Sequence, residues 1–133
     1  MSIEVEMVLR LLLAVALGAI IGYQRERVGK PAGLRTHILI CAGAALFTVA
    51  SLYGFGAAAD PARVAAGIVA GIGFLGAGAI IRREEGVVAG LTTAATIWAV
   101  AAIGLAAGAG LYLVSAVTTV IILIVLFLPH PIR

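Results

Sequence analysis

From Gly86 to Ile132 the chain carries no Asp, Glu, Lys or Arg. One bilayer crossing takes about 20 apolar residues rising 1.5 Å each, so this stretch is roughly twice that length. Its apolar positions are continuous rather than alternating. They predict at least two helices in lipid, joined by a turn almost as apolar as they are. The same reading over the whole chain predicts five spans: Met7 to Tyr23, Thr36 to Phe55, Val64 to Ile81, about Val88 to Leu105, and about Ala109 to Leu128. Pro129 and Pro131 stop the last one, because proline lacks the N–H and clashes with the preceding turn. Asp60-Pro61-Ala62-Arg63 reads as a helix start, with Asp60 capping free N–H groups and Pro61 at the first helical position.

Composition agrees. The chain is 63% hydrophobic and 11% charged, with a mean hydropathy of +1.21. A transmembrane β-barrel would show short alternating segments instead. The expected fold class is all-α: one polytopic transmembrane helical bundle over residues 1–133, with no soluble catalytic domain. Glu4 and Glu6 are wrong for the positive start of a cleavable signal peptide. The single cysteine, Cys41, falls in an apolar run and reads as a packing residue.

Charge adds an orientation. Arg25, Arg27, Lys30 and Arg35 face Glu26 alone between the first two spans, and Arg82 and Arg83 follow the third. Between the second and third spans lie only Asp60 and Arg63. Lys and Arg thus concentrate on alternate loops, which places those loops and the C-terminus in the cytoplasm and the N-terminus outside.

Glycines four apart recur at Gly18/Gly22, Gly67/Gly71, Gly86/Gly90 and Gly104/Gly108. Small residues let helix backbones approach in lipid, where hydrophobic burial contributes little. The third span, with Gly67, Gly71, Gly73, Gly76 and Gly78, is therefore expected in the middle of a tight bundle, and the four pairs predict a homo-oligomer. Gly71-Ile-Gly73-Phe-Leu-Gly76 matches G-x-G-x-x-G, but without the strand–turn–helix context a dinucleotide site needs. A locally broken helix lining a cavity is the functional alternative there.

The polar residues offer several candidate positions. Arg25 and Glu26 are adjacent on a helix and point about 100° apart, so they are expected to bond to other helices. Arg35, Thr36 and His37 meet the start of the second span. Arg82-Arg83-Glu84-Glu85 form a charge cluster able to pair with the first inner loop. Thr92, Thr93 and Thr96 either bond within the helices or line a polar cavity, and Ser115 and Thr119 lie one turn apart. Trp98, near mid-span, reads as interior. The carboxylates divide between the two faces, which argues against a magnesium channel. His37 and His130 lack metal spacing, and no nucleophile–base pair is suggested. No catalytic, metal or cofactor site is expected, and no nucleic-acid partner.

Gly18-Ala-Ile-Ile-Gly-Tyr-Gln-Arg-Glu26, Pro31-Ala-Gly-Leu-Arg-Thr-His37, Asp60-Pro-Ala-Arg63, Gly71-Ile-Gly-Phe-Leu-Gly-Ala-Gly78 and Gly90-Leu-Thr-Thr-Ala-Ala95 with Trp98 occur in order over most of the chain. In this the chain resembles the membrane domain of the MgtC/SapB family. The resemblance implies a bacterial inner-membrane protein of about five spans, with a role in adaptation to low magnesium and, for some members, in virulence. It implies action by contact with a membrane complex, the F-type ATP synthase in the best-known case. It assigns the acidic residue ending the third span to Glu84. Thr92 stands where the best-known member has asparagine. Many members carry a further soluble domain, so the chain is expected to be a membrane-only form or a trimmed piece. Two other readings stay open: a transporter or channel for magnesium or another small solute, and a lipid-binding scaffold using the first inner loop.

Overall fold

The computed structural model describes residues 2–82 and 88–129, with the backbone alone at positions 81, 82, 88 and 89. Five helices follow one another: α1 (Ile3–Arg27), α2 (Leu34–Tyr53), α3 (Pro61–Ala79), α4 (Leu91–Gly108) and α5 (Tyr112–Leu126). Between α3 and α4, β1 (Ile81–Arg82) pairs antiparallel with β2 (Val88–Ala89), Ile81 opposite Ala89. Helices α1 to α4 are long and apolar enough to cross a membrane, whereas α5 has 15 residues. At 1.5 Å per residue α5 is about 22 Å long.

The helix ends follow local chemistry rather than the edges of the apolar runs. The Ser2 hydroxyl accepts from the Val5 N–H, so α1 starts before Met7. Glu4 and Glu6 in its first turn and Arg25 and Arg27 in its last suit the helix dipole and carry it beyond Tyr23. Two glycines close helices in the same way. Gly29 (φ 76°) ends α1, with the Lys30 N–H on the Arg25 carbonyl. Gly110 (φ 87°) ends α4, with the Leu111 N–H on the Ala106 carbonyl. Both are 6→1 Schellman closures that need a left-handed residue. The second delays α5 to Tyr112.

Helix α4 is central, packing on α1, α2, α3 and α5. Half of its apolar window is buried, 50% against 11% for α3. The tight seam is α1–α2–α4, where Ala14, Ile21, Cys41, Ala45, Val100 and Ala107 are buried. Two of the glycine pairs build it. A Cβ on Gly18 would lie 2.7 Å from Cys41 Cβ, and one on Gly108 would lie 2.6 Å from the Ala45 oxygen. A Cβ on Gly104 would overlap the Cys41 carbonyl oxygen. The backbone of α2 is thus held between glycines of α1 and α4.

The expectation for the third span is overturned. Helix α3 lies at the edge of the bundle, and Gly76, against Ala94, is its one buried residue. Gly67, Gly71, Gly73 and Gly78 have open space where a Cβ would stand, so they are not packing residues within this chain. The helix runs unbroken through Gly71–Gly76, which removes the broken-helix reading. Small residues permit close approach but do not supply it. Contact is made where a neighbouring backbone presents a matching surface, and here α2 and α4 match each other. Trp98 is likewise 53% exposed, on the outer face of α4, rather than interior. Between α2 and α3 lies an apolar groove of about 590 Å³, with Phe47, Gly67, Gly71 and Leu75 in its walls and Ala101 of α4 among its lining residues.

Candidate functional site at the two ends of α4

Two arginines of α1 reach the opposite ends of α4, and both are buried, Arg10 at 6% and Arg25 at 3% exposure. Arg10 and Arg25 are 15 residues apart, as are their α4 partners Gly108 and Thr93. Both intervals are about 22 Å of helix, so α1 runs antiparallel to α4 and touches it at each end.

At the α4 C-terminus the guanidinium of Arg10 is well provided for. Nη2 donates to Glu6 Oε2 at 2.6 Å and Nη1 to the Gly108 carbonyl at 3.0 Å. Nε donates to the Tyr112 hydroxyl at 3.3 Å, and that hydroxyl donates to Glu6 at 3.2 Å. The ring of Tyr53 lies 5.3 Å from the guanidinium carbon. A cation here satisfies a free carbonyl and suits the negative end of the helix. Sequence reasoning left this cluster unassigned. The signal was present, since Glu6 and Arg10 have the i,i+4 spacing and order that favour an ion pair.

At the α4 N-terminus the chemistry differs. Arg25 Nη2 donates to Thr93 Oγ1 at 3.2 Å, a neutral acceptor. Among the described residues, Arg25 Nε is buried and has no partner, and neither has His37 Nε2 or Gln24 Oε1. His37 is fully buried on α2, its Nδ1 2.8 Å from the Gly33 carbonyl. Gly90 (φ 91°) opens α4 with no side-chain cap, and the first helical bond runs from the Ala94 N–H to the Gly90 carbonyl. The Leu91, Thr92 and Thr93 amides precede that first bond and lack partners within the helix.

Glu26 turns away from Arg25, as their 100° separation requires. Its Oε1 accepts from the Leu34 N–H at 2.9 Å and so caps α2, whose own N-cap residue is Gly33. A Cβ on Gly33 would lie 2.5 Å from that oxygen. Glu26→Ala is expected to destabilise the fold by about 1 kcal/mol, the usual loss for a helix cap. Measured unfolding of the two proteins in the same detergent checks this.

The remaining candidates separate. Arg35 and Thr36 are exposed on the first turn of α2 and make no polar contact among the described residues. Asp60 caps α3, its Oδ1 accepting from the Ala62 N–H at 3.0 Å, with Arg63 exposed beside it. Thr92 is exposed while Thr93 is buried. Glu84 lies outside the described residues. Four buried hydroxyls bond within their own helices, Thr48 to the Ala44 carbonyl, Thr96 to Thr92, Ser115 to Tyr112 and Thr119 to Ser115, whereas buried Ser51 donates to the Pro61 carbonyl of α3 at 3.4 Å.

A family model described as the MgtC family matches residues 11–133. The chain is 46% identical over 132 residues to a protein of Escherichia coli K12 named putative magnesium transporter YhiD, covering 94% of this chain and 61% of that one. It is 40% identical over 139 residues to SapB of Bacillus subtilis, covering 98% and 60%. It is 51% identical over 118 residues to MgtC of Brucella abortus, covering 89% and 49%. The chain therefore spans half to three fifths of the length of these relatives. No solved structure matches it significantly.

Proposed function

We propose that this chain, which belongs to the MgtC family, is a regulatory protein of the bacterial inner membrane that acts by helix contact with a membrane partner. The observation that carries this reading is the groove between α2 and α3. Its glycines Gly67 and Gly71 offer a close-approach surface that the chain's own helices leave unused. In lipid such a surface associates by packing with another helix, because apolar burial supplies no drive there. A larger membrane complex is the partner class, with the F-type ATP synthase the first to test, and self-association uses the same surface. The name given to YhiD mentions magnesium, and adaptation to low magnesium is the setting in which we place the protein.

The transport reading is supported by the name given to YhiD. Against it, the buried hydroxyls of Thr48, Thr96, Ser115 and Thr119, which would line a polar path, are engaged by carbonyls of their own helices.

Gly71→Leu tests the proposal. A Cβ at this position meets nothing within 4 Å and the rest of the side chain has the open groove to enter, so the bundle is expected to fold as the wild type does. Crosslinks from the groove to a partner in native membranes, formed from a photoreactive residue at Phe47, are expected to disappear. Unchanged crosslinks, or magnesium flux into proteoliposomes carrying the purified chain, would overturn the reading.

A further inference from the structure

Helix α4 meets a cation at both ends, and only one of them suits it. A helix N-terminus carries about half a positive charge on its free N–H groups, and its C-terminus the opposite. Arg10 at the C-terminal end is complementary and shares its charge with Glu6. Arg25 at the N-terminal end adds a buried positive charge to a positive helix end. Its one described partner is the neutral hydroxyl of Thr93, in the first turn of that helix. Its Nε, buried, donates to nothing among the described residues. A buried charge without a counter-charge is strongly destabilising. The amides of Leu91, Thr92 and Thr93 point out of the same turn, and the turn reaches the surface at Leu91 and Thr92.

We infer that the first turn of α4, with Arg25 beneath it, is a binding site for an oxyanion of the phosphate class. The amides that lack partners within the helix supply the short hydrogen bonds that helix N-termini give to phosphate groups. Arg25 supplies the full positive charge and a guanidinium fork suited to tetrahedral oxyanions. The phosphate belongs either to a lipid headgroup at the membrane surface or to a free anion. The site is independent of the groove at α2–α3, so its failure leaves the proposed function standing.

The test compares unfolding of the purified chain in detergent, in chloride buffer, with inorganic phosphate, and with phosphatidylglycerol added to the micelles. For wild type, phosphate at a hundredfold its Kd is expected to shift the folding equilibrium about a hundredfold toward the folded state. Protection by inorganic phosphate in lipid-free micelles identifies a free anion. Protection by phosphatidylglycerol alone identifies a headgroup. Arg25→Gln is expected to lose the shift, while in plain chloride it is as stable as wild type or more so. Should Arg25→Gln fail to fold, Thr93→Val, which keeps the charge and removes the hydroxyl, is expected to weaken the shift at least fivefold. Two results overturn the inference. One is the absence of any shift in wild type. The other is equal destabilisation by Arg25→Gln in every medium, with Glu84→Gln or Glu85→Gln reproducing it, since the chain would then neutralise its own arginine.

Discussion

Gly104→Val is expected to undo the bundle. The first carbon of the new side chain would overlap the carbonyl oxygen of Cys41 and stand 2.9 Å from its carbon and 3.0 Å from Ala44 Cβ. Two of these three atoms are backbone of α2, so no rotamer change relieves the clash and α2 must move away from α4. Overfilling a packed site costs about 1–3 kcal/mol when neighbours yield, and more when they are backbone. In lipid the loss is not recovered by burying apolar surface elsewhere, because close packing is what holds the helices together. Gly108 stands one turn further along, with Ala45 backbone at 2.6 and 2.9 Å, so the displacement would spread down the seam. Cys41 provides the measurement. It is fully buried in wild type, and its thiol is expected to resist a membrane-permeant maleimide. In Gly104→Val it is expected to react at the rate of the denatured chain. Gly71→Leu, a larger addition on α3, is expected to leave Cys41 protected. Similar reactivity of the two variants would contradict the seam as described.

Arg10→Met is the second large effect. Methionine keeps much of the apolar stem and removes the charge. It leaves the Gly108 carbonyl without its side-chain donor, Glu6 with the Tyr112 hydroxyl as its one remaining donor among the described residues, and that hydroxyl with one fewer partner. Stranding a buried hydrogen-bonding group costs about 1–3 kcal/mol. The low end applies here, since the Glu6 side chain is 34% exposed and rehydrates in part. Adding Glu6→Gln to Arg10→Met is expected to recover part of the loss, because the stranded carboxylate is then gone. A double-mutant cycle in unfolding experiments reads the coupling directly. Strict additivity of the two substitutions would mean that Arg10 acts through Gly108, Tyr112 and Tyr53 rather than through Glu6.

Much of this architecture can be read before any coordinates. Apolar runs locate the helices because a segment in lipid must satisfy its own backbone. Asp60-Pro61 announces the start of α3 because capping is local. Glu26 is legible only by half. Its direction away from Arg25 follows from helical geometry, but its target, the Leu34 amide eight residues on, depends on the turn between α1 and α2. Which helix sits in the centre is not legible. Gly67 and Gly71 look on paper like Gly104 and Gly108, and the difference is the opposing backbone, which no single span contains. Arg10 and Arg25 look like two flanking positives. Their contrast appears only when α4 is laid between them, one at each pole.

The clamp made by Arg10 has a consequence for the order in which the protein is built. Its carbonyl acceptor and its phenol lie 98 and 102 residues further along the chain. Ribosomes add roughly 5–20 residues per second, so the guanidinium waits on the order of 5–20 seconds after synthesis for either. Glu6, four residues before it, is present from the start and can hold the charge in the meantime. Arg25 has no such early companion, and its Thr93 arrives 68 residues later. The two poles of α4 thus close at different moments of translation: the Thr93 end as α4 emerges, the Gly108 end only once Tyr112 has been made.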